Sequence, residues 1–480
     1  MAELGNDIFF ATIGELNRLL TARQVSAEEL ARAFVNRMEM LGPQLGALAL
    51  SLREDALKKA KEVDKDIKRG RLRGPLQGIP YGVKDLLSYA GHPTTWGAKP
   101  YADQVFDYNA TVIDKLAGVG ALLASKLSMV ELAGGGGYRY ASASLFGPGL
   151  NPWDKTRGSG GASSGSAAAV AAGLAPFAIG SETSGSIVTP ASFCGVTALR
   201  PTYGLVSRYG AMALSWTLDK LGPFAHSAED CGLVLAAMAG KDSKDPGSAG
   251  KSFYYAPQYA RPLKEMRIGY SPGDFVEGVD ASVRPAFAAA LAALKESGAQ
   301  FVEARLPQFP YGATLSTILA AEQGSIFESL ITSGKVEELQ DQAQIAGLKA
   351  SLEVPAKDYL RAMRIRRLMQ DAFNRMWVDL DAVLAPGRLG PAIRIDQPIT
   401  SIPGGPPSTT PPPPITGFGP IVPAGNLAGL PALVLPCGFA GNLPVALQLV
   451  GPPFSENVLL SIGKDFQSRT DWHRRRPQVG

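Results

Sequence analysis

The chain has 480 residues, of which 45% are hydrophobic and 19% are charged, so it can bury a large core and is not disordered throughout. Its 47 basic and 43 acidic residues are spread along the sequence, which excludes the concentrated positive charge typical of nucleic-acid binding. Three cysteines cannot form a disulfide framework and indicate a reducing compartment. Without a signal-peptide pattern or an apolar run of membrane-spanning length, we expect a cytoplasmic protein that does not act at a membrane.

Metal and triad chemistry find no support in the residue spacing. The three histidines, His92, His226 and His473, do not form a motif such as HExxH, and the cysteines are widely scattered. We therefore expect no metal and no cofactor. Nothing local favours a Ser-His-Asp triad either.

The first part of the chain is predicted to be helical. Thr12 with Glu15 and Ser26 with Glu29 form two capping boxes, each followed by apolar residues at helical spacing. A charged amphipathic helix over 55–67 is predicted to face solvent.

A strand-like apolar segment at 78–87 carries one lysine, Lys84, in its middle. Lysine is rarely buried without a reason, so Lys84 either reaches the surface or is held inside for chemistry. The residues alone leave both possibilities open.

The stretch 160–186 has two Gly/Ser clusters separated by an alanine-rich run and a short apolar segment. The pattern predicts a buried helix over 166–173, a strand over 176–179 and a sharp turn at 180–186. Consecutive backbone N–H groups beside the Ser186 hydroxyl would suit a nucleophile with its own oxyanion hole. The regular alternation argues against a flexible linker.

Predicted strands and helices alternate along the rest of the chain, which favours a mixed, largely parallel sheet covered by helices on both faces.

The glycine run 133–137 indicates either a close backbone approach or a flexible loop. In 306–379, packing is favoured over cavity lining for Phe309, Tyr311, Leu315, Ile318 and Phe327. The proline-rich segment 402–423 is predicted to be a stiff surface loop, a spacer or lid rather than a ligand for SH3 domains. The remaining predicted helices are 111–116, 229–238, 282–294 and 455–466, and the remaining strands are 121–126, 266–270, 300–302, 433–435 and 445–450.

Together with 193–204 and 215–223, the 160–186 stretch resembles the amidase signature family of serine amidohydrolases, and the resemblance spans nearly the whole chain. It implies one large α/β domain over 1–480, with a twisted mixed sheet flanked by helices. Within it we expect a helical segment at 1–75, the signature core at 76–240, a variable helical substrate side at 305–380 and the proline-rich loop at 400–423.

The resemblance also implies the residues of the site. Ser186 matches the nucleophile and Lys84 the catalytic base, which must be neutral to accept a proton. The backbone N–H groups of Thr183, Ser184, Gly185 and Ser186 match the oxyanion hole. A second serine, held in a cis peptide, relays the proton from nucleophile to lysine in this family.

This chain departs from the family at the relay position. The family's G-G-S-S pattern aligns with Gly160, Gly161, Ala162 and Ser163, and Ala162 precedes Ser186 by 24 residues, the separation that the family keeps. Ser163 therefore matches the neighbouring serine and not the relay. Poor activity and a water in place of the hydroxyl are alternatives, but the intact surroundings of Ala162 favour an inactivating substitution.

The implied reaction is hydrolysis of a small neutral amide, anilide or carbamate (urethane), because no cluster of arginines indicates an acidic substrate. The segment around Ser186 looks closer to bacterial aryl amidases and urethanases than to a glutamine-using subunit, since Val188 replaces an arginine usual there. We expect a monomer or homodimer. Two alternatives stay open: the glutaminase subunit of a tRNA-dependent amidotransferase, and a non-catalytic binding member of the family.

Overall fold

A computed structural model describes residues 5–399 and 414–479. The described residues form thirteen strands: β1 Leu48–Ser51, β2 Pro80–Lys84, β3 Leu122–Leu127, β4 Leu150–Asn151, β5 Asp154–Gly158, β6 Phe177–Glu182, β7 Thr197–Arg200, β8 Lys220–Ala225, β9 Arg267–Tyr270, β10 Gln300–Glu303, β11 Ala382–Pro386, β12 Ala432–Ala440 and β13 Leu443–Val450.

The same residues form fourteen α-helices: α1 Ile13–Thr21, α2 Ala27–Leu41, α3 Arg53–Lys68, α4 Thr111–Gly118, α5 Ser164–Ala171, α6 Val188–Cys194, α7 Ala228–Met238, α8 Arg284–Lys295, α9 Tyr311–Ile326, α10 Glu328–Thr332, α11 Gln342–Ser351, α12 Ala356–Met376, α13 Ile421–Ala428 and α14 Glu456–Arg469. Both predicted capping boxes are present, at the starts of α1 and α2. Helix α3 faces solvent on one side only, since Ala56, Ala60, Val63 and Ile67 are buried.

Eleven strands form one sheet in the order β1-β3-β2-β6-β8-β7-β12-β13-β11-β9-β10, and β4 pairs with β5 separately. The predicted α/β architecture with a mixed sheet is confirmed, but the expectation of a largely parallel sheet is wrong. Parallel pairing joins β2 to β3 and β6, and β9 to β10 and β11, whereas the other neighbours in the large sheet are antiparallel. Strands β12 and β13 follow each other through a short turn, which allows antiparallel pairing without a crossover helix.

Both faces of the sheet are covered. Along β6, the side chains of Phe177 and Ile179 belong to one buried apolar cluster and that of Ala178 to a second. Because side chains of a strand alternate between the two faces, this division means that each face has its own core. The second cluster includes the alanines of α5 and the apolar residues of α6.

The glycine run 133–137 packs closely rather than forming a loose loop. A methyl group on Gly136 would overlap the carbonyl oxygen of Gln344, and one on Gly347 would overlap that of Gly136, so the loop and α11 touch through their backbones. Four of the five residues considered above for cavity lining are buried in the cores: Tyr311, Leu315, Ile318 and Phe327.

The predicted loop 402–423 lies mostly outside the described residues. Its last three residues belong to α13, so the predicted loop extended too far at that end; Pro423 is tolerated because it sits in the first turn, where its missing N–H is not needed. Within 5–399 and 414–479, no helix combines the length and apolar character of a membrane span.

Candidate active site

Lys84 ends β2, and the turn that carries Ser186 follows β6. These two strands are parallel neighbours, so their carboxyl ends lie at the same edge of the sheet. The fold therefore brings the predicted base and the predicted nucleophile to one edge, although 102 residues separate them in the sequence.

The turn between β6 and α6 presents the predicted oxyanion hole. Gly185 has a φ of 90°, a conformation that favours glycine. Among the described residues, no hydrogen bond is formed by the N–H groups of Ser184, Gly185 and Ser186 or by the Ser186 hydroxyl. Ser184 and Ser186 are half-buried and Gly185 is buried, so the turn is partly accessible and its N–H groups have no partner among the described residues.

Glu182 holds this turn in place, a role that the sequence analysis missed. Its carboxylate accepts from the N–H groups of Ile187 (2.8 Å) and Val188 (3.0 Å), from Arg200 Nη1 (2.7 Å) and from Asn426 Nδ2 (2.8 Å). Burial opposes ionisation of Glu182, but the charges of Arg200 and Lys220 and these hydrogen bonds bring its pKa down to about 2. The available signal was a single acidic residue four positions before Ser186 in an otherwise uncharged stretch.

Lys84 is fully buried, which decides against the possibility that it reaches the surface. Its Nζ lies 3.1 Å from Ser163 Oγ and 2.9 Å from Ser181 Oγ. Burial lowers the pKa of Lys84 to about 7, against the opposing effect of the Asp219 and Glu182 carboxylates. An amine with such a pKa is largely neutral just above neutral pH and can accept a proton.

A second buried lysine, Lys126, lies on the neighbouring strand β3 and differs from Lys84 in its partners. Its Nζ is 2.8 Å from Asp85 Oδ1 and 2.7 Å from the carbonyl oxygen of Pro93. Burial lowers the pKa of Lys126 as well, but the direct contact with the Asp85 carboxylate opposes that shift and favours the charged form, so we assign Lys126 to the structure around β2 rather than to proton transfer.

Ser163 positions Lys84 but is not free to relay. Its hydroxyl donates to the Ser181 carbonyl oxygen (3.1 Å), while its oxygen accepts from Lys84 and from the Ser181 N–H (3.2 Å). A hydroxyl has a single proton to donate, and here that proton is already engaged. Ser181 is a second positioning residue that the sequence analysis did not identify.

Ala162 occupies the predicted relay position and is buried, with 1% of its surface exposed. The Gly161–Ala162 peptide bond is cis, as the family resemblance implies. The Ala162 carbonyl accepts from the Val130 N–H at 3.2 Å. A methyl group on Gly161 would overlap Tyr138 Oη, so the tight packing here requires glycine. The side chain at 162 is a methyl group where the family has a hydroxyl.

Asp219 supports the start of the turn between β6 and α6, another role that the sequence analysis missed. Its carboxylate accepts from Thr183 Oγ1 (2.5 Å) and from the N–H groups of Leu214 (2.8 Å) and Ser215 (2.9 Å). Burial raises the pKa of Asp219. Asp219 lies in the 215–223 stretch that carries the family resemblance, but its spacing alone does not indicate this contact.

A cavity of about 510 Å³ opens beside Thr183 and Ser181. Its lining is largely apolar but includes the charged residues Arg208, Asp219, Lys244 and Asp245, and Ala133 places the first residue of the 133–137 loop in its wall. The lining residues include Leu86, Ala133, Met212, Leu214, Trp216 and Leu221.

Comparison with known proteins places the chain in a family. The family model described as Amidase matches residues 29–460. A glutamyl-tRNA(Gln) amidotransferase subunit from Carboxydothermus hydrogenoformans is 35% identical, with 98% of this chain and 100% of the relative aligned. The subunit of the same name from Dechloromonas aromatica is 38% identical, with 97% and 99% aligned.

Among solved structures, the native peptide amidase of Stenotrophomonas maltophilia superposes with a TM-score of 0.81 at 31% identity, covering 98% of each chain. The family model, these relatives and the superposed fold agree over nearly the full length. The chain belongs to the amidase signature family.

Proposed function

We propose that this chain is built to hydrolyse a carbon–nitrogen bond of a small amide through an acyl-enzyme on Ser186. The observation that carries the proposal is Lys84, a fully buried lysine without a directly bonded carboxylate, whose pKa is lowered to about 7 at the edge of the sheet where the Ser186 turn lies. Such a lysine can act as a general base near neutral pH.

The proposed reaction requires a hydroxyl at position 162. Ser186 Oγ attacks the carbonyl carbon while its proton passes through that hydroxyl to Lys84. The free N–H groups of the turn stabilise the developing oxyanion. The C–N bond breaks as the nitrogen takes the proton back, and a water then adds to the ester, releasing the acid and restoring Ser186.

With Ala162 in place, the base and the nucleophile lack their connecting proton path, whereas the oxyanion turn and the cavity are intact. We therefore propose that this form binds its substrate and acylates slowly. A non-catalytic binding role remains the alternative for this form, and restoring serine at 162 distinguishes the two.

Two substrate classes are candidates. The largely apolar cavity and Val188 support an amide, anilide or carbamate with an apolar portion. The relatives support glutamine instead: both are named as subunits of a glutamyl-tRNA(Gln) amidotransferase, and they align over nearly their full length. In that case the chain would work as the glutaminase of a multi-subunit complex.

The test uses the full-length Ala162→Ser variant. Labelling with a serine-directed phosphonate, followed by peptide mapping, should place the adduct on Ser186; an adduct elsewhere would refute the nucleophile. A substrate panel of glutamine, aryl amides and aryl carbamates then separates the two classes. Glutaminase activity that needs co-purified partner subunits supports the amidotransferase, and turnover of aryl amides by the isolated chain supports the amidohydrolase.

A further inference from the structure

Arg388 is a half-buried guanidinium whose partner is missing from the described residues. It follows β11 by two positions, and within 5–399 and 414–479 it forms neither an ion pair nor a hydrogen bond. Three other buried or partly buried arginines near the site have partners. Arg200 pairs with Glu182, Arg208 pairs with Asp245, and Arg366 donates to the Leu427 carbonyl.

The segment that follows Arg388 forms two backbone hydrogen bonds with the part of the chain that precedes Ala162. The Gly158 N–H donates to the Ile393 carbonyl (2.9 Å), and the Ile399 N–H donates to the Arg139 carbonyl (2.7 Å). The segment thus joins the strand leading to the cis peptide at Ala162 with the residues next to Tyr138. Just before Arg388, a methyl group on Gly387 would lie 2.5 Å from Ser192 Oγ, so this backbone packs against α6, the helix that follows Ser186.

The charges around Arg388 leave it without a counter-ion of its own. Burial lowers the pKa of Arg388, whereas Tyr138 and Glu182 act in the opposite direction. Glu182, the carboxylate among these neighbours, already accepts from four groups, including Arg200. A guanidinium is effectively always charged and is costly to bury unpaired, so this position is suited to an incoming anion.

We propose that Arg388 binds a carboxylate of the substrate, close to the amide that Ser186 attacks. This inference rests on the proposed function and replaces the neutral substrate expected from the sequence with a narrower class: short monoamides that carry a carboxylate, such as monoanilides of dicarboxylic acids or the side-chain amide of an amino acid. The planar fork of arginine matches a carboxylate with two parallel hydrogen bonds, a geometry that lysine does not reproduce.

The test compares two matched substrates in the Ala162→Ser chain: the 4-nitroanilide of succinic acid and its methyl ester, which has no free carboxylate. We expect the acid to be preferred in kcat/KM, and Arg388→Met to reduce the ratio of acid to ester by about 30- to 300-fold. Arg388→Lys should recover part of that ratio. Arg394→Met is the control, because Arg394 lies on the same segment, is exposed and pairs with Asp396, so the ratio should not change.

An unchanged ratio in Arg388→Met, or no preference for the acid, would overturn the inference. A binding measurement tests the role of Arg388 without requiring the proposed reaction to occur. Succinamate should bind the chain with Ala162, as followed by calorimetry, and Arg388→Met should weaken that binding by a similar factor. If Ala162→Ser turns over neither anilide, the proposed hydrolysis of aryl amides fails. Succinamate binding then decides the role of Arg388: binding that depends on Arg388 supports the inference, and binding that does not depend on it contradicts the inference.

Discussion

At the scale of single residues, two buried lysines show how the groups that contact a lysine amine affect its ability to accept a proton. Lys84 and Lys126 lie on adjacent parallel strands, and both are inaccessible to solvent. Lys126 contacts the Asp85 carboxylate directly, whereas Lys84 contacts two serine hydroxyls. Burial lowers the pKa of both lysines, but at Lys126 the Asp85 carboxylate opposes that shift directly, whereas the hydroxyls around Lys84 do not compensate for a buried charge in the same way.

The pH dependence of Ala162→Ser should report Lys84. A base must be unprotonated, so kcat/KM should rise as pH increases through about 7 and level off above it.

Lys84→Met in the same background should lose several orders of magnitude in rate while its circular dichroism spectrum stays that of a folded protein. A profile without titration between pH 6 and 8, or a variant that keeps most of its activity, would remove Lys84 from the mechanism.

At the scale of elements, the unit formed by β6, the turn and α6 depends on one buried carboxylate. The Glu182 carboxylate accepts hydrogen bonds from the backbone where α6 begins and forms an ion pair with Arg200 on β7. It therefore links the turn between β6 and α6 to the neighbouring part of the sheet. Removing that charge would leave Arg200 buried without its counter-ion.

Glu182→Gln should therefore lower the free energy of unfolding by about 3–5 kcal/mol in urea titrations. The pKa of Glu182 falls from 4.5 to about 2 on folding, so its ionised form favours the folded state above pH 4.5, and this contribution is lost as pH falls toward 2. The free energy of unfolding of Glu182→Gln should therefore change less between pH 4.5 and 2 than that of the chain with Glu182. Glu229→Gln serves as the control, since Glu229 is exposed and pairs with Lys464 at the surface. Equal stability of the two variants would contradict the role of Glu182.

Helix α11 owes its position to a contact between glycines. A methyl group on Gly347 would overlap the backbone of the 133–137 loop, whose Ala133 lines the cavity. Gly347→Ala should reduce stability by about 1–3 kcal/mol, as overpacking does, and should change KM in Ala162→Ser by moving the loop. Gly312→Ala, near the start of α9 with open space around it, should cause no loss of stability. Thermal unfolding of both variants provides the comparison, and the same change in both would argue against the contact.

At the scale of the whole molecule, local patterns predicted the elements better than their arrangement. The capping boxes at Thr12 and Ser26 use residues three positions apart, so the sequence displays them directly. The antiparallel pairing of β6 with β8 depends on contacts between distant residues and was not visible. The same holds for the site: the motif around Ser186 is continuous, whereas the segment of Arg388 is distant in sequence and approaches α6 only through the packing of Gly387 against Ser192.

The central claim is that Lys84 activates Ser186 through a hydroxyl at position 162, and covalent labelling tests it most directly. The rate at which a serine-directed phosphonate modifies Ser186 should be measured in the chain with Ala162 and in Ala162→Ser under identical conditions. The account predicts a rate about 10²–10⁴-fold higher in Ala162→Ser, the usual contribution of general-base assistance, with substrate affinity little changed. Equal labelling rates in the two forms would contradict it.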